Sequence, residues 1–480
     1  MKRPAQVLRG AVSGVSARFS AGATPERELL LGTVLLVSAI SGTIGVTLAQ
    51  YFEIDVLSSV LTLPYDCWVD SGIRVGRHCF SDYSLTVGQA LRPNPWEPYP
   101  LHLMKGIEAA QNPYPPAAML PHAIFGLLGK LLHAPLAGLF GYELALAISL
   151  LTPAVWATRG VRGLERVVVF VVLSAAAAPV WAVLDRGNSV GFVVPIALVF
   201  LVALCRRRWG LVTLMVVLAS LVKPQFLVLG FVLPAARQWR WSGIAVLAGV
   251  LSNLGAYLLW PRNFPSTIGQ SVRSSLSAGG TYEQLAGGFN VSIQKGLLTI
   301  PDAVAAAGNG GKVPDGFLEG PRVLLGYVVL LLVLGCVLVL GHRIPPVQAG
   351  IVLLATASLF PPVTFRYYLA FVLPIAALIV RDPDGRPGYG IFQRFADLGD
   401  RRRIVGISIS LATALTIAQI PVPGHASREP IMGLSGSGLS APLVLTTVGL
   451  VPVFWLLACA VIIGSYARRP AGAAEDFTLC

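Results

Sequence analysis

A lysine lies in the middle of an apolar stretch, residues 218–229, LASLVKPQFLVL. Placing a lysine inside a membrane costs about 2.5–3.5 kcal/mol, so such a residue usually has a function and a partner. Pro224 leaves backbone carbonyls unpaired, and broken helices of this kind usually line a cavity. Lys223 is therefore predicted to face an anion. The alternative is that its ammonium extends to the outer interface and only anchors the segment.

Other cations accompany Lys223. Arg366 begins an apolar segment in FPPVTFRYYLAFVLP, and Asp185 and Arg186 separate two apolar runs in LDRGNSVGF, where they could also pair with each other. Arginine and lysine are the usual partners of phosphate. Several cations at the mouth of a helical bundle therefore suit a phosphate whose lipid tail lies in the bilayer.

The composition indicates an integral membrane protein. The chain has 480 residues, of which 55% are hydrophobic and only 12% charged, and its mean hydropathy is +0.71. Runs such as 29–49 and 322–341 reach the roughly 20 residues that a helix needs to cross a bilayer. The first run is too long for a removable signal peptide and lacks a cleavage site, so it is predicted to be a retained span.

Basic residues predict the orientation, because lysine and arginine are retained on the cytoplasmic side. The predicted spans are 29–50, 136–157, 166–183, 188–205, 242–260, 322–341, 346–361, 367–380, 404–422 and 443–466. With both termini inside, this arrangement places every dense basic cluster in the cytoplasm. The net charge of +13 is thus mostly a topology signal, and nothing else supports a nucleic-acid partner.

Two segments do not fit as ordinary spans. Residues 115–132 are short and contain Lys130, and are predicted to form an interfacial or re-entrant helix on the outer side. Residues 209–236 have basic clusters at both ends, so this segment should enter the membrane and return, with Lys223 at the tip of the hairpin. The predicted fold is an all-α bundle of about ten spans with these two additions.

The polar residues concentrate in loops predicted to lie outside, at 51–115, 261–321 and 423–442. The first loop is rich in proline and aromatic residues, which favours ordered structure over a flexible linker. No internal repeat or soluble domain is apparent. Residues 1–480 are therefore predicted to form a single membrane domain.

Five motifs follow one another between about residues 80 and 375. They are SDY with NPYPP, RGNSVGF, the lysine–proline hairpin with its basic exit, GGFNVS, and FPPVTFRYYLAFVLP. The ordered set resembles the bacterial integral-membrane glycosyltransferases of family 87. That family has the GT-C fold and includes polyprenyl-phosphate-mannose-dependent α-1,2-mannosyltransferases.

The chain departs from the family pattern at two places. Tyr367 and Tyr368 stand where many of the mannosyltransferases have histidines, as in some arabinofuranosyltransferases of the family. Asp185, Arg186 and Gly187 stand where Gly-Gln is common. The sugar, the acceptor, the linkage and any metal requirement stay open.

The resemblance implies an inverting sugar transfer, mannose first, from a polyprenyl-phosphate carrier to a glycolipid or cell-envelope glycan at the outer face of a bacterial plasma membrane. Such a transfer needs a base for the acceptor proton and cations for the departing phosphate. A lipid-linked sugar flippase or transporter is the alternative of another class, but it should have paired halves, which the sequence lacks.

Asp82 is the predicted base, because it precedes NPYPP as the acidic residue of the family does. The alternatives are a helix-capping role for Asp82 and another carboxylate as base, Asp70 first, then Asp55, Asp66, Glu97 and Glu108. Lys223 and Arg366 are the predicted donor-phosphate ligands. Further predicted substrate contacts are Tyr83, Tyr99, Tyr114, Arg186, Asn188, Asn290, Ser292 and Tyr367.

Cysteines and histidines carry little further signal. Cys67 and Cys79 share the first outer loop and could form a disulfide. No cysteine–histidine set has zinc spacing, and no cofactor is predicted. His78 and His102 lie near the proposed site but are predicted to be structural or solvated.

Overall fold

The computed structural model describes residues 25–52, 80–103, 106–277, 281–311, 313–430 and 438–468, without the side chains of a few short stretches. Helices account for most of the described residues, which confirms the all-α class. Strands in the described ranges are confined to two antiparallel hairpins. Tyr99–Leu103 (β1) pairs with Gly106–Ala110 (β2), and Pro421–Pro430 (β3) pairs with Gly438–Thr446 (β4).

Twenty α-helices follow one another within the described residues. They are Pro25–Phe52 (α1), Ser81–Ala90 (α2), Pro116–Leu131 (α3), Pro135–Ala157 (α4), Gly163–Val172 (α5), Ala178–Arg186 (α6), Val193–Cys205 (α7), Trp209–Val222 (α8), Val232–Ala235 (α9), Trp239–Tyr257 (α10), Ser266–Ser277 (α11), Tyr282–Ala286 (α12), Ile293–Leu297 (α13), Thr299–Ala307 (α14), Glu319–Leu340 (α15), Pro346–Leu359 (α16), Val372–Val380 (α17), Ile391–Asp397 (α18), Arg403–Ile417 (α19) and Val451–Ala467 (α20).

Within the described ranges, four helical segments are long and apolar enough to cross a membrane. These are Pro25–Thr47, Pro135–Ala157, Glu319–Leu340 and Thr447–Ala467, and six shorter apolar helical segments accompany them. Large apolar side chains also cover outward faces, such as Leu331 and Val339 on α15, which are 67% and 73% exposed. An exposed apolar surface of this kind is typical of a protein that meets lipid.

Residues 166–183, predicted as a single span, contain two helices. Helix α5 ends at Val172, and α6 begins only at Ala178. Pro179 lies at the start of α6, where its missing N–H leaves no hydrogen bond unmade. Residues 173–177 therefore form a break between α5 and α6.

Three polar turns interrupt the apolar helices, and each is followed by a 3-10 helix. The 3-10 helices are Ser189–Phe192, Pro224–Phe231 and Arg366–Phe371. A Cβ added to Gly230 would lie 3.4 Å from Val216 Cγ1, so the chain after Lys223 returns along α8. This geometry agrees with the hairpin that the sequence predicts. The three turns place charged and polar side chains at the ends of short helices.

A buried ion cluster ties α13 and α14 to α15. Arg322, 1% exposed, pairs with Asp302, and Lys295 Nζ lies 2.7 Å from Asp302 Oδ2. Burial raises the pKa of the Asp302 carboxyl, but hydrogen bonds and charges from Arg322 and Lys295 outweigh this effect and lower it below its usual value. The carboxylate therefore balances two cations.

Asp302→Ala should reduce the free energy of unfolding by about 3–5 kcal/mol, because it leaves buried cations uncompensated. Since folding lowers the pKa of Asp302, its stabilisation is present above the unfolded value of about 3.9 and is lost as the pH falls through the folded value. Thermal unfolding in detergent at several pH values measures both effects. The control is Glu319→Ala, at an exposed carboxylate in the first turn of α15, the helix that carries Arg322. Equal stability of the two variants would contradict the prediction.

Candidate active site

Asp82 lies in the first turn of α2, and its carboxylate is held from the turn after α6. Arg186 Nη2 lies 3.0 Å from Asp82 Oδ1, and Asn188 Nδ2 donates to Asp82 Oδ2 at 2.7 Å. The helix N-cap is Phe80, without a side-chain cap, so the alternative of a helix-capping Asp82 does not describe this arrangement. The salt bridge between Asp82 and Arg186 joins residues 104 positions apart.

The Asp82 carboxylate is ionised although little of it is exposed; its side chain is 16% accessible. Burial raises its pKa, but Arg186, the Asn188 hydrogen bond and the charge of Lys223 together lower the pKa below its usual value. Each carboxylate oxygen has two lone-pair sites, so a further donor can still bind. The group can accept a hydroxyl hydrogen bond at neutral pH.

Asn188 is oriented by the backbone of its own turn. Its Oδ1 accepts from Val190 N at 2.9 Å, which leaves Nδ2 as the donor to Asp82. Gly187 precedes it with φ +62°, in the left-handed region that glycine tolerates best. A Cβ at this position would lie 2.8 Å from Tyr83 Cβ and 3.0 Å from Glu143 Oε1. Close packing of the turn on α2 therefore depends on glycine.

Gly187→Ala should lower the free energy of unfolding by about 1–2 kcal/mol or more, because the left-handed conformation is strained and the added methyl meets Tyr83. The displaced turn should also weaken the Asn188–Asp82 hydrogen bond and reduce activity. Thermal unfolding measures the first effect. Gly243→Ala is the matched control, since an added Cβ there has nothing within 4 Å. A Gly187→Ala protein as stable as this control would refute the requirement.

Lys223 ends α8 and is 2% exposed. Its backbone is extended, as expected for a residue before proline. Its Nζ donates to Tyr114 OH at 3.2 Å and lies 4.4 Å from the centroid of that ring and 5.9 Å from that of Tyr368. The ammonium therefore points into the protein, which argues against the alternative of an anchor that reaches an outer interface.

Tyr114 connects Lys223 to the segment that holds Trp96 and Asn112. Its N–H donates to Asn112 Oδ1 at 3.0 Å, and its carbonyl accepts from Trp96 Nε1 at 2.9 Å. Burial, with the nearby Asp82 carboxylate, raises the pKa of its hydroxyl, which Arg186 partly offsets. The hydroxyl stays protonated and keeps Lys223 in place. The NPYPP motif thus positions the lysine as well as beginning α3.

Arg366 and Tyr367 open the third 3-10 helix beside an aromatic row. Phe365 stacks on Tyr367 with centroids 5.5 Å apart, and Tyr367 contacts Tyr368 at 5.0 Å. Tyr367 is 6% exposed. Arg366 is partly exposed. It lies in the chain between Phe365 and Tyr367, which both belong to this row. Tyr368, which has no assigned role in the sequence-based site, is the member closest to Lys223.

Asn290 and Ser292 support the site through backbone contacts. Asn290 Nδ2 donates to Leu285 O and Pro362 O, and its Oδ1 accepts from Ser292 N and Thr364 N. Ser292 Oγ caps α13 by accepting from Lys295 N. Asn290 thus joins residues 285–292 to the turn before Arg366. The direct substrate contact expected of these two residues stays a prediction.

The described contacts of Tyr83 and Tyr99 are with other side chains of the protein. Tyr83, 1% exposed, packs on Tyr142 with centroids 4.7 Å apart. Tyr99 accepts from Gln89 Nε2 at 2.7 Å, near the other end of α2. Tyr83 therefore packs α2 against α4. Tyr99 holds the loop that follows α2 against the end of that helix.

His122 is a buried group that the sequence analysis missed. Its Nε2 lies 3.1 Å from Tyr142 OH, and burial together with the charge of Lys223 lowers its pKa to about 3, with Asp82 opposing this shift. The imidazole is therefore neutral behind the Asp82 carboxylate. Its position as the seventh residue of an apolar helix, shortly after NPYPP, was the only available signal.

Several predicted residues lie outside the described ranges or have no described side chain. They are Asp55, Asp66, Asp70, Cys67, Cys79, His78, His102 and Glu108. Glu97 is exposed, and none of its described contacts is with Arg186 or Lys223. Among the described residues, no group of three or more histidine, cysteine or acidic side chains could hold a metal ion.

Comparison of the chain with protein-family models, with curated proteins and with solved structures finds no match. The site combines an ionised, partly buried carboxylate with a buried lysine, close enough for their charges to interact.

Proposed function

We propose that the protein is a membrane glycosyltransferase that moves a sugar from a polyprenyl-phosphate carrier to a glycolipid or glycan acceptor. The observation that carries the proposal is the placement of Asp82 and Lys223 in one partly buried polar site. A carboxylate can accept the acceptor's proton, and a buried cation can bind a departing phosphate. The ordered family-87-like motifs contain both residues.

In the proposed reaction the acceptor hydroxyl oxygen attacks the anomeric carbon of the sugar from the face opposite the phosphate. Asp82 takes the hydroxyl proton as the new glycosidic bond forms. The bond from the anomeric carbon to the phosphate oxygen breaks, and its electrons leave with polyprenyl phosphate. Lys223, with Arg366 from the neighbouring segment, balances the charge of that phosphate. The configuration at the anomeric carbon inverts.

Mannose is the first candidate sugar and arabinofuranose the second, because Tyr367 and Tyr368 replace the histidines of many related mannosyltransferases. A donor screen tests both. Purified protein is given labelled polyprenyl-phosphate mannose or polyprenyl-phosphate arabinofuranose with an extracted lipid acceptor fraction. Transfer from one donor identifies the sugar. Movement of either donor across vesicle membranes without transfer would favour the flippase alternative instead.

The proposed location places the site at the outer face of a bacterial plasma membrane, with both termini in the cytoplasm. In a variant without the native cysteines, single cysteines at Glu97 and Ser275, both exposed, should react with an impermeant reagent in intact cells. A cysteine at the exposed Arg386 should react only after permeabilisation. Their reactivity in the opposite pattern would overturn the proposed orientation.

A further inference from the structure

An aromatic stack leads from the Asp82–Arg186 pair to the second outer segment. Phe289 and Phe365 lie parallel, with centroids 5.4 Å apart and ring planes at 9°. Phe365 stacks in turn on Tyr367, which is buried, whereas Phe289 and Phe365 are partly exposed. The accessible end of the stack is therefore formed by two rings from different segments of the chain.

One arginine links this aromatic surface to the carboxylate. Arg186 Cζ lies 5.9 Å from the Phe365 centroid, while its Nη2 is 3.0 Å from Asp82 Oδ1. The hydrogen bonds of Asn290 to Pro362 O and from Thr364 N hold the two segments that carry the rings together. The side chain of Arg186 therefore contacts both the aromatic surface and the Asp82 carboxylate, which places the two beside each other.

The chemistry of this surface suits a sugar ring. The face of an aromatic ring carries partial negative charge, which attracts the C–H groups on the apolar face of a sugar. Sugar hydroxyls can donate to the carboxylate and accept from the guanidinium. A lipid tail would use only the aromatic part of the surface and would leave the ion pair without a polar neighbour.

We infer that Phe289 and Phe365 bind a sugar ring of the acceptor next to Asp82, and that they favour acceptors ending in a sugar over simple lipid alcohols. The inference rests on the proposed function. In the proposed reaction the acceptor hydroxyl gives its proton to Asp82. The acceptor must therefore lie beside Asp82, and so the aromatic surface there is assigned to the acceptor. The aromatic neighbours of Lys223 are instead Tyr114 and Tyr368, which places the donor phosphate on the other side.

Direct binding tests the sugar site without requiring transfer. Methyl glycosides of mannose and of arabinofuranose, and their disaccharides, are titrated into the detergent-solubilised full chain and followed by saturation-transfer NMR. Phe289→Ala should weaken binding of the preferred saccharide about tenfold, the loss expected for one stacked ring. Phe289→Tyr, which keeps the ring, should retain it. Phe140→Ala, on α4 and 61% exposed, is the control.

Steady-state kinetics separates the acceptor from the donor. Phe289→Ala should raise KM for the acceptor about tenfold and leave KM for the donor unchanged. A raised donor KM instead would assign the stack to the isoprenoid tail and overturn the inference, as would saccharide binding that Phe289→Ala leaves unchanged. A wild-type chain that binds saccharide through Phe289 but transfers no sugar would refute the proposed function, while the saccharide site itself would stand.

Discussion

The Asp82→Asn variant should lose about a hundredfold to ten-thousandfold in transfer rate, the usual effect of removing a general base. The amide keeps the shape of the side chain and can still accept from Arg186, but it cannot take the acceptor proton. Donor binding should be unchanged, because the phosphate is bound by Lys223. The measurement is single-turnover transfer with saturating donor, together with donor affinity.

Two controls make this result specific. Glu97→Gln removes an exposed carboxylate from the same segment and should leave transfer intact. Arg186→Met keeps the carboxylate but removes the charge that lowers its pKa, so the acid limb of the pH–rate profile should move to higher pH. A folded Asn variant with more than about a tenth of wild-type activity would point to another base, Asp70 first.

The Lys223→Met variant should bind the polyprenyl-phosphate donor more weakly by about 1.5–3 kcal/mol, the range for a hydrogen bond to a charged group. Methionine keeps the length and apolar stem but removes the charge. Without donor the variant should be at least as stable as the wild type, because removing a buried cation offsets the loss of its hydrogen bond to Tyr114 OH.

Thermal unfolding with and without polyprenyl phosphate measures both effects. The wild type should show a donor-induced rise in melting temperature that the Met variant largely lacks. Lys130→Met, at an exposed lysine of α3, should keep the full rise. An equal rise in the Lys223→Met protein would mean that the phosphate binds elsewhere and that Lys223 serves only the hairpin and Tyr114.

Local chemistry allowed the sequence alone to determine several features of this protein. Apolar composition and run length predicted the helical membrane class, because a helix must satisfy its backbone hydrogen bonds internally in lipid. Pro224 predicted a broken helix beside Lys223, because proline leaves backbone carbonyls unpaired. Basic clusters on both sides of residues 209–236 predicted the return of the chain. These signals depend on neighbours in sequence.

Tertiary structure decided which partners the polar side chains have. The Asp82–Arg186 bridge, the Lys223–Tyr114 hydrogen bond and the Phe289–Phe365 stack each join residues far apart in the chain. The sequence predicted that Asn290 contacts the substrate, as it did for Asn188. In the structure, however, the side-chain amide of Asn290 forms hydrogen bonds with the backbone of two segments. A sequence motif shows which polar side chains are present. Only the packing of the turns determines whether a ligand or the protein itself satisfies the hydrogen bonds of those side chains.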